Sequence, residues 1–254
     1  VIWFSALLTV SAIWLVARLF PTEITTKLDF MSRDQTWIPV FTLFVGAMVG
    51  LIDDIFEIKQ GNGGLSSFKR LTIVGIVALL VASWFFFKLE ITTIGIPFLG
   101  DLFIGWLIIP LFVLFALGIY SGGVIDGIDG LAGGVFGTIF LTYAGIAFYQ
   151  NQINLAAFCV AVAGGLLAFL WFNIPPARFY MSETGSMALT LTIAVVAFMT
   201  DSLGGGYGVI AFPIIAFPLI ATSGSVVIQL LSKKFRGGKK IFHSTPINHH
   251  FEAI

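Results

Sequence analysis

Eight stretches of this 254-residue chain are apolar almost without a break, at roughly 1–20, 36–52, 71–87, 102–120, 130–149, 153–172, 187–200 and 207–231. Short segments rich in Gly, Pro, Asp and Lys separate them. A hydrocarbon core about 30 Å thick takes about 20 apolar residues in helix to cross. The pattern therefore predicts an all-α polytopic membrane protein with about eight transmembrane helices. The seventh stretch is short and is expected to extend into the Gly-rich turn after it. The first lacks a basic leader and a small-residue cleavage site, so it reads as a span rather than a signal peptide. One connection breaks the helical pattern. Residues 88–101, KLEITTIGIPFLGD, alternate β-branched and polar positions around Gly95 and Pro97, which predicts a small hairpin on the outer, periplasmic surface.

Composition agrees with a membrane chain. It is 58% hydrophobic and 10% charged, with mean hydropathy +1.02, where soluble domains carry roughly 25% charged residues. Zero net charge offers nothing to a nucleic acid. The single Cys159 lies in a span and reads as a small packing residue. No soluble domain, long linker or repeat interrupts the chain, so residues 1–254 form one integral-membrane domain.

Alternating crossings sort the connections into two sets. One set (53–70, 121–129, 173–186 and the tail from 232) holds nine Lys and Arg residues, and the other holds only Lys27, Arg33 and Lys88. Short cytoplasmic loops attract basic residues, so the first set faces the cytoplasm. The same face receives Asp53, Asp54, Asp126, Asp129, Glu183, His249 and His250. Membrane folding does not demand that coincidence. An active site at one membrane surface does.

Asp53 and Asp54 close the second span. Adjacent carboxylates suit Mg²⁺ or the deprotonation of a phosphate or hydroxyl nucleophile, and also a solvated helix end. GNGGLSSFKR follows, placing Lys69 and Arg70 at the start of the next helix, where they either hold phosphate or anchor the helix. SGGVIDGIDGLAGG sets Asp126 and Asp129 three apart among glycines that permit close approach to a ligand. It lacks the Gly-Lys-Ser/Thr ending of a P-loop. In FNIPPARFYMSETGSMAL, Asn173 and Tyr180 suit a nucleobase. Ser182 or Thr184 is positioned to cap the next helix, and Glu183 reads as a capping carboxylate or a metal ligand. The tail carries Lys233, Lys234, Arg236, Lys239 and Lys240, which suit anionic lipid or a polyphosphate substrate. Asn248, His249 and His250 follow. No Cys or suitably spaced third ligand supports zinc there, and imidazoles facing a pyrophosphate fit better.

GLIDD, DGIDGLAGG, FNIPPARFYMSETGS and KIFHSTPINHHFE, in that order and spacing, resemble the polyprenyl-phosphate N-acetylhexosamine-1-phosphate transferases. The last motif is most similar to the phospho-N-acetylmuramoyl-pentapeptide branch. The resemblance implies a Mg²⁺-dependent enzyme of the bacterial inner membrane with its site facing the cytoplasm. In that family undecaprenyl phosphate attacks the β-phosphorus of a UDP-sugar and releases UMP. In this branch the sugar nucleotide is UDP-MurNAc-pentapeptide and the product is lipid I, used in peptidoglycan synthesis, the cell-wall biogenesis on which cell shape and division depend.

By the same resemblance, Asp53 deprotonates or positions the lipid phosphate, with Asp54 beside it. Glu183 takes the place of the metal-binding Asp, and Asp126 and Asp54 complete the metal set. Asp126 and Asp129 match positions near the nucleotide and metal, and Asn173 and Tyr180 match uridine-side positions. Lys69, Asn248, His249 and His250 match substrate-binding positions around the phosphates. The partners implied are undecaprenyl phosphate, the UDP-sugar and membrane lipid; a homodimer is left open.

The chain also departs from the family pattern. Tyr120 and Gly123 stand where the family has Asn, Glu183 where it has Asp, and Asn248 where it has the first His of the tail. Family members have ten spans and an early Gly-Thr-Pro-Thr-Met-Gly-Gly segment unmatched here, so the chain is expected to lack one span at each end or to be a reduced member. Two other readings compete: a transferase for UDP-N-acetylglucosamine or another UDP-amino sugar, and a non-catalytic homologue. A transporter is disfavoured, since its carboxylates belong near the midplane, frequently in paired repeats.

Overall fold

In a computed structural model of the protein, residues 2–23, 25, 29, 36–60, 64–203 and 205–253 are described. Lys27, Arg33 and the Gly61–Gly63 part of the second connection lie outside them. The helices are α1 Ile2–Leu19, α2 Trp37–Gln60, α3 Ser67–Lys88, α4 Ile108–Gly122, α5 Leu131–Tyr149, α6 Ile153–Asn173, α7 Ser182–Phe198, α8 Gly208–Ile215, α9 Phe217–Phe235 and the short α10 Ile247–Glu252. Among the described residues, seven helices are long and apolar enough to cross a membrane, and the count reaches eight if α8 and α9, bent by 74° at their junction, are taken as one span. The chain is a multi-pass membrane protein.

At the centre stands α7. From Gly185 to Phe198 every residue is buried, so its sequence is apolar all round rather than striped, as expected of a helix enclosed by others. Its buried Thr190 and Thr192 hydroxyls donate to carbonyls at Ser186 and Ala188, which removes the cost of unpaired polar groups. The most extensive partner of α7 is α2, and two glycines explain how closely they approach. A Cβ on Gly46 would lie 2.8 Å from the Ala188 Cα, and one on Gly50 would lie 2.6 Å from the backbone carbon of Glu183. This is the small-xxx-small packing by which membrane helices bring their backbones together. Here it sets the Asp53-Asp54 turn of α2 beside the first turn of α7.

The hairpin forms where the alternating residues predict it. Strands β1 Thr93–Ile96 and β2 Gly100–Phe103 pair antiparallel, with Thr93 opposite Phe103 and Ile96 opposite Gly100. It is held at the far end of α7, where the helix passes into a π-turn at Met199–Leu203. The buried Asp201 carboxylate there accepts the Gly95 N–H at 2.8 Å and the Val209 N–H at 3.1 Å. Gln150 and Gln152, between α5 and α6, donate to the carbonyls of Thr200 and Met199. Eighteen residues of helical rise, about 27 Å, separate Glu183 from Asp201. That is close to a hydrocarbon thickness.

Three boundaries differ from the sequence expectation. Asp53 and Asp54 do not end their helix, because α2 runs on to Gln60. The seventh span begins at Ser182 rather than near 187, because distant carboxylates satisfy its polar first turn. The eighth is broken at Ala216, between Pro213 and Pro218, where the chain cannot keep a straight hydrogen-bond ladder.

Candidate active site

The first turn of α7 has backbone N–H groups with no partner inside the helix. Its own flanking residue, Met181, supplies no side-chain cap. Two carboxylates from elsewhere do. Asp54 of α2 accepts the N–H groups of Glu183 (3.2 Å) and Thr184 (3.0 Å), the Ser182 hydroxyl (2.6 Å) and the Thr184 hydroxyl. Asp126, in the α4–α5 connection, accepts the N–H groups of Met181 (2.7 Å) and Ser182 (3.0 Å) through Oδ2. The positive end of the helix dipole favours both charges. Ser182 itself sits in the left-handed region, at φ 55°. A non-glycine residue holds such a conformation only where its surroundings over-determine it, and here two carboxylates grip it.

Glu183 points the other way, toward a cation. Arg70 of α3 donates from Nη1 to Glu183 Oε1 at 2.9 Å and pairs through Nε with Asp53 Oδ2 at 2.6 Å. Asp53 is fully buried, and its Oδ1 accepts the Leu65 N–H at 2.6 Å. The Tyr120 hydroxyl of α4 donates to Glu183 Oε2 at 3.1 Å. Thus Asp53, Asp54, Asp126 and Glu183, which lie up to 130 residues apart in sequence, meet around one helical turn. The cation among them is Arg70, while its neighbour Lys69 is exposed on the helix surface.

The second ring is built on Asp129 and Asn173. Asp129 accepts the Tyr180 hydroxyl at 2.7 Å and the Ala177 N–H at 2.9 Å. These bonds hold the Asp129 carboxyl below the usual carboxylate range, and the same contact raises the Tyr180 phenol. Tyr180 presents about half its surface to solvent, open to a planar ligand. Asn173 is buried, with its carbonyl oxygen accepting the Gly130 N–H and its amide donating to the Phe179 carbonyl. Both groups are spent on tying two loops together, so Asn173 shapes the ring rather than presenting itself.

The tail closes the site. Gln229 of α9 binds it through the Ile241 and Phe242 N–H groups and the Phe242 carbonyl. The Ile247 N–H donates to Ser225. His249 is carried onto the Asp126–Asp129 loop. A Cβ on Gly127 would fall 2.8 Å from its Nε2, so a side chain at 127 would push the imidazole away. His249 Nδ1 contacts Glu252 at 3.1 Å. His250 stacks on His243 and accepts its backbone N–H, which commits it to the tail's own packing. Both amide atoms of Asn248 are buried with no partner among the described residues.

Lysines 233, 234, 239 and 240 and Arg236 are exposed beside this tail. Sequence reasoning gave no role to Gln229 and none beyond departure to Tyr120, although each is a polar group in an apolar helix, which is itself a signal.

Among the described residues no preassembled cage of three His, Cys, Asp or Glu side chains exists. Mg²⁺ seldom needs one, since it is commonly held by one or two carboxylates plus substrate phosphates. The donor chemistry here fits that mode. Asp126 Oδ1 is buried and lacks a partner among the described residues. Burial pushes the Asp126 carboxyl above its ordinary range, against the lowering effect of the Ser182 and Met181 N–H groups. A nearby cation would favour its charged form.

Known proteins place the sequence in a family. The sequence profile of glycosyl transferase family 4 matches residues 36–201. The phospho-N-acetylmuramoyl-pentapeptide-transferase of Listeria innocua is 36% identical over 246 residues, covering 95% of this chain and 74% of the relative. That of Clostridium perfringens is 36% identical over 225 residues, covering 87% and 68%. That of Listeria monocytogenes is 34% identical over 221 residues, covering 85% of this chain and 66% of the relative, just under two thirds of its length. The profile spans well over half the chain and takes in every carboxylate of the cluster, so the protein belongs to glycosyl transferase family 4.

Proposed function

We propose that this protein transfers phospho-MurNAc-pentapeptide from its UDP-activated form to undecaprenyl phosphate, making lipid I at the cytoplasmic face of the bacterial inner membrane. The observation that carries the reading is the convergence of Asp53, Asp54, Asp126 and Glu183 on the first turn of α7. One substrate is a lipid and the other a soluble polyanion, and this cluster lies where spans end and basic loops begin.

In the reaction, an oxygen of the lipid phosphate forms a bond to the β-phosphorus of the UDP-sugar. The bond from that phosphorus to the bridging oxygen breaks, and UMP leaves with the oxygen. A phosphate monoester is already largely ionised near neutral pH, its second pKa being about 6. Asp53, buried and with both oxygens engaged, therefore orients the nucleophile through Arg70 rather than serving as a strong base. Asp126, whose Oδ1 is buried without a partner among the described residues, would hold Mg²⁺ together with the substrate phosphates, while Asp54 and Glu183 stay bonded to the α7 turn and to Arg70 and Tyr120; the ion when bound supplies charge neutralisation on the diphosphate. Tyr180 and the Asp129 loop receive the uridine, and Asn173 fixes that loop. His249 and the Asn248 amide face the phosphates, and the exposed tail lysines draw the polyanion in.

The test uses full-length protein in detergent with Mg²⁺ and undecaprenyl phosphate. UMP release is expected from UDP-MurNAc-pentapeptide and not from UDP-N-acetylglucosamine. Release from the simple sugar nucleotide alone would move the protein to the other branch. No release from any UDP-amino sugar would remove the enzyme reading and leave a non-catalytic homologue.

A further inference from the structure

Glu183 has two carboxylate oxygens, and each has a different partner: Arg70 Nη1 at 2.9 Å on Oε1 and the Tyr120 hydroxyl at 3.1 Å on Oε2. Arg70 is at the same time paired with Asp53 at 2.6 Å. The junction therefore joins α2, α3, α4 and α7 through side chains alone. In the sequence, Tyr120 and Glu183 are separate departures from the pattern of the family the chain resembles. In the structure they touch.

The backbone at Glu183 cannot shift to serve a shorter side chain. Its N–H is held by Asp54, those of Met181 and Ser182 by Asp126, and Gly50 leaves no slack behind its carbonyl. Removing one methylene withdraws the carboxylate by about 1.5 Å, beyond hydrogen-bond reach of at least one partner. A lysine at position 70 would keep the charge but lose the planar fork that binds two carboxylates at once.

We propose that Arg70 and Tyr120 are positioning residues that hold the Glu183 carboxylate, and that Glu183 and Tyr120 work as one unit in which glutamate is required because the phenol is there. The proposal rests on the transferase reading of this site. Aspartate at 183, chemically the mildest change, is then a damaging one in this protein.

The experiment is a double-mutant cycle in the full-length protein, with Tyr120→Phe, Glu183→Gln and the pair, alongside Glu183→Asp. UMP release and thermal midpoint are measured for each. Tyr120→Phe is expected to lower kcat about 10-fold, the worth of one hydrogen bond to a charged group. KM for both substrates stays within about twofold and the midpoint is nearly unchanged, as a positioning role rather than uniform binding requires. Glu183→Asp is expected to lose at least as much. The double variant falls no more than about twofold below the worse single, because coupled residues are not additive.

Tyr120→Phe with more than half the wild-type rate, multiplicative losses in the pair, or full activity in Glu183→Asp would each overturn the proposal. So would a loss that appears in KM and midpoint instead of kcat. If the wild-type protein itself releases no UMP, the transferase reading has failed and the positioning role falls with it. An active wild type with additive variants fails the proposal alone.

Discussion

Replacing Asp54 with alanine is expected to lower the rate of UMP release by at least ~100-fold, a loss comparable to that of a catalytic electrostatic group. Asp54 accepts from two backbone N–H groups and two hydroxyls on residues 128 to 130 positions further along the chain. Hydrogen bonds to a charged group contribute about 1.5–3 kcal/mol each. Losing several frees the first turn of α7, and with it Ser182, Glu183 and the loop that carries Tyr180. Misplacing reacting groups by about 1 Å is enough to cost about 10²-fold. Asparagine at 54 should fare little better, since it sets an NH₂ donor against the N–H and O–H donors that the carboxylate accepts. UMP release and the thermal midpoint are to be measured together: both should fall. A variant that keeps most of its rate would show that the start of α7 is not where the chemistry is organised.

Gly50→Ala is the second large effect. The new methyl would sit 2.6 Å from the Glu183 backbone carbon and 2.7 Å from the Thr184 Cα. These are main-chain atoms of a buried helix, so no rotamer relieves the clash and α2 must back away from α7. Overpacking of this kind costs about 1–3 kcal/mol in a soluble core. The catalytic cost is larger, because Asp53 and Asp54 follow Gly50 within about one turn and would retreat with it. A rate loss of about 100-fold is expected by the same positional argument. Gly75→Ala on α3 is the control, as a Cβ there meets nothing within 4 Å. Gly75→Ala should match wild type in both UMP release and melting. If Gly50→Ala matches it as well, the close α2–α7 contact is not a requirement of the site.

The spans, the hairpin and the shared face of the carboxylates were all legible as runs of apolar residues and the polar residues between them. Side-chain pairing was not. Asp54 and Asp126 read as individual acids, because nothing local reveals that a helix beginning 128 residues after the one and 56 after the other lacks its own cap. That a helix starts near Ser182, ahead of the apolar run at 187, was readable from its cap-forming residues; that Ser182 and Thr184 bond remote carboxylates instead of capping it themselves was not. Lys69 and Arg70 are adjacent, and composition cannot say which of them faces inward. Helical phase about α3 decides for Arg70.

Other signals were present but unread. The four-residue spacing of Gly46 and Gly50 announces a backbone-to-backbone contact. Pro213 and Pro218 bracket the break in the last span. Gln229, a polar residue of α9 in the span stretch before the basic tail, marks where that tail is latched. Asn173 was readable as a polar residue of the site, yet its two partners show a brace between loops.

The most direct measurement is the position of the diphosphate in a structure of the full-length protein bound to UDP-MurNAc-pentapeptide. The diphosphate is expected against Asp126 and Glu183 under His249, with uracil on Tyr180. Density for it at the Asp201 hairpin end, or anywhere away from the first turn of α7, would contradict the assignment of this cluster as the active site.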